Sequence, residues 1–150
     1  MAADHYDRFI FANDDHYLLQ PMTDLPYYHA GPIREFKGGG ETFMRYVDNT
    51  YRLFPDGMYY DVHTPMIVES SIMAGLSYHR DTLFKSCYAN TAQVDGVLFR
   101  DCKMDGHIRT DAINHYIRDR PFLSIGEYIP FDLKNWLMEQ YPEKSKWELD

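Results

Sequence analysis

The chain has 150 residues, 45% of them hydrophobic and 16% aromatic, with 13 Tyr, 9 Phe and 2 Trp. That length favours one domain with a real core, and that composition excludes a disordered chain. A formal charge of -8 argues against passive nucleic-acid binding, which rests on clustered Lys and Arg, and points to solubility or to docking on a basic partner surface.

No apolar run approaches a membrane span, and the start Met1-Ala2-Ala3-Asp4-His5 lacks a signal-peptide pattern. The two cysteines, Cys87 and Cys102, fall short of a disulfide framework and lack zinc-site spacing, so a reducing cytoplasm is the expected compartment.

The first strand is expected from Arg8 or Phe9. Residues 9–19 read as an apolar strand, a polar elbow at Asn13-Asp14-Asp15, and a second short apolar run. Two adjacent carboxylates at a strand end are costly to hold together without a cation or a proton between them. Open α/β sheets bind ligands at such ends, and hard cations such as Mg²⁺ and Mn²⁺ combine one or two carboxylates with substrate phosphates. Asn and Asp equally favour ordinary turns, and at this level both readings stand.

Gln20-Pro21-Met22 and Leu25-Pro26-Tyr27 mark an extended segment, closed by a turn at His29-Ala30-Gly31-Pro32. Lys37-Gly38-Gly39-Gly40 lacks the strand and Lys-Ser/Thr context of a phosphate loop and reads as a mobile loop. Over residues 41–54 a helix is expected, with Phe43, Tyr46, Val47, Thr50, Tyr51 and Phe54 along one face and Pro55-Asp56-Gly57 as its stop. Residues 58–62 read as a short strand ending at His63, with Thr64 and Pro65 opening a second helix to about Ala74. His63 at that junction is either a working side chain or a structural one.

Residues 78–92 read as helical, with Leu83, Cys87 and Tyr88 sharing a face. Asp95-Gly96 signals a turn, and Val97-Leu98-Phe99 a strand leading into Arg100-Asp101-Cys102-Lys103. Asp101 and Lys103, two apart, face the same way and either pair at an edge or share a substrate. A turn at Asp105-Gly106-His107, a short helix over 109–120, a last strand over 121–126 and a final helix from Pro130 to Gln140 complete the order. Phe131, Leu133, Trp136 and Leu137 supply the apolar side of that helix, and two aromatics hold the charged tail over 141–148 against the body.

The order of motifs is Phe-Ile-Phe-Ala-Asn-Asp-Asp (9–15), Tyr-Tyr-His-Ala-Gly (27–31), Tyr-Asp-Val-His-Thr-Pro (60–65), Lys-Ser-Cys-Tyr-Ala-Asn (85–90), Asp-Cys-Lys (101–103), Phe-Leu-Ser-Ile-Gly-Glu (122–127) and Tyr-Pro-Glu-Lys-Ser-Lys-Trp-Glu (141–148). Together these resemble the C-terminal part of bacterial and phage glycosyltransferase-like proteins related to the Stealth capsular-polysaccharide sugar-phosphate transferases. The resemblance implies a divalent metal, Mn or Mg, held by Asp14 and Asp15 at a nucleotide-sugar pyrophosphate. It implies substrate contacts from Asn13, Lys85, Tyr88, Asn90 and Lys103, and catalytic roles for Asp15, His63 and Asp101, with His63 or Asp15 as the base. Lys85 stands where the family pattern has arginine, and lysine lacks the bidentate fork.

Family members carry a Rossmann-like N-terminal half of roughly a hundred residues that binds much of the donor. This chain begins at the acidic elbow. The expected fold is therefore α/β, a truncated glycosyltransferase-like (half Rossmann-like) mixed sheet with flanking helices, one domain over 1–150. Two functions follow: a metal-dependent sugar or sugar-phosphate transferase acting on a nucleotide sugar or glycan, completed by dimerisation or by another chain, or a non-catalytic acidic binding protein. The latter would meet a protein target with a basic surface, as a phage-encoded inhibitor of a host defence nuclease (anti-CRISPR-like) does. A third reading, a sugar-binding module with tyrosines as stacking surfaces, competes with a place for those rings in the core.

Overall fold

Short runs of alternating or β-branched residues separated by Pro and Asp-Gly turns can pair only as brief ladders, and the strands here are two to four residues long. The computed structural model describes residues 6–76, 81–99, 101–104, 120–126, 129 and 131–143. In chain order the elements are β1 (Arg8–Phe11), β2 (His16–Leu18), β3 (Tyr27–His29), a 3₁₀ turn (Ile33–Glu35), α1 (Glu41–Leu53), β4 (Met66–Glu69) and α2 (Ser70–Gly75). They continue with α3 (Phe84–Ala92), β5 (Gly96–Leu98), β6 (Lys103–Met104), β7 (Phe122–Ile125) and α4 (Phe131–Gln140). The protein is thus a mixed α/β structure, as its patterning implies. Among the described residues the strands divide among three small sheets: β1 antiparallel to β4, β3 parallel to β5, and a mixed β2-β7-β6 sheet. Among the described residues no helix is long and apolar enough to cross a membrane.

The mixed sheet sets the frame for the elbow. Residues opposed in a ladder share a face, so His16, Ser124 and Lys103 form one row, while Tyr17 with Leu123 and Met104 with Ile125 lie on the other side. The second face buries Met104, Leu123 and Ile125 against Leu133 and Leu137 of α4. The polar row is left facing the rest of the molecule. Tyr141, just past α4, donates its hydroxyl to the Leu18 carbonyl at 2.6 Å and so ties the end of the helix to β2.

The apolar stripe of α1 buries Val47 and Thr50 and half-buries Phe43, Tyr46 and Phe54, while Tyr51 lies outside it. Thr50 bonds the Tyr46 carbonyl and also accepts the Leu83 N–H at 2.9 Å, which fixes α3 against α1. A third cluster packs Met66 and Val68 of β4 against Tyr88 and Ala89 of α3. Gly96 opens β5 where a Cβ would lie 2.7 Å from both His29 and Tyr60, so the parallel β3–β5 approach requires glycine there.

Besides Tyr51, several expectations change; of the helix expected over 78–92, residues 81–83 lie outside α3, which starts at Phe84. The helix expected over 65–74 is instead β4 followed by the short α2: the Met66-Ile67-Val68 run pairs with β1 and alternates buried and half-buried, and Pro65 precedes a strand. The strand expected over 58–62 makes one isolated bridge, Pro32 with Met58, with Tyr59 bonded to the backbone of Ala30 and Gly31, while Met58 and Tyr60 bond to side chains. Phe131 is 74% exposed and lies off the apolar side of α4. The turn at 105–107, most of the helix expected over 109–120 and Trp147 lie outside the described residues.

Asn90 shows how the 58–62 segment manages without a ladder. Its amide donates to the carbonyls of Met58 at 2.8 Å and Ser86 at 2.7 Å, and its oxygen accepts the Met58 N–H at 2.9 Å. Asn90→Ala leaves the partly buried Met58 N–H and carbonyl unpaired, so the urea midpoint should fall by the equivalent of about 2 kcal/mol at unchanged slope. An unmoved midpoint would remove Asn90 from the scaffold.

Candidate functional site

The elbow is a tight turn closed by the His16 N–H on the Asn13 carbonyl at 3.3 Å, with Asp14 and Asp15 at its tip. The turn reading and the ligand reading are therefore compatible. A cleft of about 480 Å³ opens here, lined by Asn13, Asp14, Asp15, Tyr17, Lys103, Ile125, Gly126 and Ile129. It lies at the carboxyl ends of the parallel pair β6–β7, where α/β sheets leave room for ligands. Asp14 is exposed. Asp15 is anchored: its Oδ2 accepts the Ser124 hydroxyl at 2.7 Å and its carbonyl accepts the Ile125 N–H at 3.2 Å. A separate groove between Ile10, Leu18, Met22, Leu25, Ile67 and Phe122 is largely apolar, with Asp24 as the one charged residue in its lining.

His63 is held from several sides. One oxygen of Asp101 accepts its backbone N–H at 3.0 Å and the other meets its ring Nδ1 at 2.7 Å. The Cys102 thiol donates to its carbonyl at 2.8 Å. Beneath, the buried Lys85 ammonium donates to the carbonyls of Val62 and Thr64 on either side. Asp61 reaches the start of α3, accepting the N–H groups of Lys85 and Ser86 and the Ser86 hydroxyl, and so caps a helix whose own N-cap residue, Leu83, offers no side-chain bond.

The electrostatics centre on His16, whose side chain is 3% exposed. Burial lowers its pKa to about 4, helped by the Lys85 charge and by His63, against the opposing pull of Asp15 and Asp101. Asp101 is pushed up by burial, yet the His63 ring and backbone donors outweigh this and hold it below the usual carboxylate value. Lys85 is lowered by burial, partly offset by Asp61, Asp101 and Asp15. Burial also pushes the Cys102 thiol up to about 12, which keeps it a neutral donor.

The structure therefore brings Asn13, Asp14, Asp15 and Lys103 to one cleft and joins His63 to Asp101, neither of which is in the lining of that cleft. Asp101 and Lys103 share the exposed side of their segment, as their spacing implies, and the carboxylate's bonds run to His63. Lys85, Tyr88 and Asn90 are drawn inward: Tyr88 is 1% exposed and its hydroxyl accepts the Glu69 N–H at 2.8 Å. His16, Asp61 and Ser124 take structural or polar roles that sequence reading did not assign. The signal for His16 was its position next to the acidic pair, and nothing local marked the other two. The oxygen donors of Asn13, Asp14 and Asp15 suit a hard divalent cation in kind, with ligand oxygens completing its shell. Among the described residues, no group of three or more His, Cys, Asp or Glu stands together to enclose one. No family model, curated protein or solved structure matches the chain.

Because the folded-state pKa of His16 lies below its ordinary 6.5, the unfolded chain takes up that proton first as pH falls. Its contribution is therefore complete above about pH 6.5 and is lost between there and about pH 4. Urea midpoints across this window should show a loss of the order of 2 kcal/mol that His16→Gln flattens. An identical slope in the variant would assign the loss to other groups.

Proposed function

We propose that the protein transfers a sugar or sugar phosphate from a nucleotide-activated donor to an acceptor hydroxyl, with divalent-cation assistance. The fold relation proposed with it is to the C-terminal half of a Rossmann-like glycosyltransferase, in keeping with the ordered motifs. The observation that carries the reading is the two-point hold of Asp101 on His63, two residues along the chain from Lys103 in the wall of a cleft also lined by Asp14 and Asp15.

Asp101 takes the Nδ1–H of His63 and leaves the lone pair on Nε2, the arrangement of a general base. Nε2 accepts the proton of the acceptor hydroxyl while its oxygen bonds the anomeric carbon or the phosphorus. The bond to the departing phosphate then breaks with its electron pair on that phosphate oxygen. Lys103 in the cleft wall offers positive charge to the departing group. A bound Mn²⁺ or Mg²⁺, held by Asp14 with Asp15, would neutralise the same charge. Lys85 serves as a positioning residue, since its ammonium carries the turn that presents His63.

Calorimetry with Mn²⁺ and a panel of nucleotide sugars tests the reading. Metal-dependent binding should appear in the wild type and be lost in Asp14→Ala/Asp15→Ala. His63→Asn should keep binding within about threefold and lower turnover by about 100-fold or more. No binding at millimolar ligand sinks the transferase reading. The charge of -8 would then direct pull-downs toward a basic protein target.

A further inference from the structure

Single exposed apolar side chains are ordinary on a protein surface. Ile10 and Leu18, 63% and 50% exposed, differ because they line one concavity of about 300 Å³. Ladder register builds its walls: Ile10 stands opposite Ile67 on β1–β4, and Leu18 stands opposite Phe122 on β2–β7. Among the described residues these two ladders share no strand. Met22 and Leu25, half-buried against the core, line it as well. The groove is therefore set largely by paired strands, and its volume is at the small end for ligand pockets.

The lining limits what can sit there. Thr23 and Asp24, both exposed, are its only polar side chains. No Lys, Arg or His lines it, so a phosphate or carboxylate would meet the Asp24 carboxylate as the one charge present. A polyhydroxylated sugar would press hydroxyls against carbon without partners. An apolar body with one cationic end satisfies both features: the body covers the strand-borne side chains, and the cation meets Asp24. Among the described residues no hydrogen bond or ion pair engages that carboxylate. The net charge of -8 adds long-range attraction for a cation and repels an anion.

We propose that this groove binds a small amphipathic amine, an aryl- or alkylammonium with its apolar body between the two ladders and its ammonium at Asp24. The site is separate from the acidic cleft and does not rest on the transferase reading.

Calorimetry and methyl-resolved NMR on the full chain at low salt test it with three matched probes: 4-phenylbutylamine, 4-phenylbutanol and 4-phenylbutyrate. The amine should move the methyl signals of Ile10, Leu18, Met22 and Ile67 together. It should bind about fivefold more tightly than the alcohol and about tenfold or more tightly than the carboxylate, an advantage that added salt narrows. Asp24→Asn should bring the amine to within about twofold of the alcohol, and Leu18→Ser should weaken both by about tenfold. Equal affinity for the three probes, or an Asp24→Asn chain that keeps the full preference, overturns the role of the cation. Shifts confined to other methyls, or no saturable binding at millimolar amine, overturn the site. A dimer in sedimentation that Ile10→Ser dissociates puts a second copy in the groove and overturns the small-molecule assignment.

Discussion

Reciprocal satisfaction of polar groups between residues 58–64 and α3 is the constraint on which the site depends. That segment runs through the interior with almost no ladder, so its backbone groups need partners from side chains. Asn90, Ser86 and Lys85 of α3 supply them, to Met58, Tyr60, Val62 and Thr64. Asp61 returns the service by capping α3. Either partner alone would bury unpaired polar atoms, and together they hold His63 at one fixed point.

The same economy explains why a buried lysine is tolerated. A lone ammonium in an apolar interior would give up its charge, but here two carbonyls accept from it and Asp61, Asp101 and Asp15 pull its affinity for the proton back up. Its field then adds to the burial that lowers the His16 pKa. The acidic elbow, the His63 pair and the buried cation are thus one electrostatic unit spread over four segments of the chain.

Much of this was legible locally. The α1 stripe, the β1 and β7 runs and the Asn13-Asp14-Asp15 elbow carry their own periodicity or turn chemistry, and they stand where the sequence puts them. Residues 65–74 misled because Thr-Pro is also a helix opening, and only pairing with β1 makes Met66–Glu69 a strand. Lys85, Tyr88 and Asn90 belong to a motif that reads as a ligand contact. Which way a helix face turns is decided by what it packs against, and a motif does not contain that information. Asp61 and Ser124 were silent for the same reason: their partners lie 24 to 25 and 109 residues away.

The separation of Asp15 from Ser124 also has a temporal side. At about 5–20 residues per second, a ribosome needs roughly 5–20 s to travel between them, and closing so long a loop is entropically slow to begin with. Through that interval the elbow exists without β7, its carboxylates unanchored and its cleft lacking a wall. The cleft geometry at the elbow is therefore complete only after β7 has been synthesised.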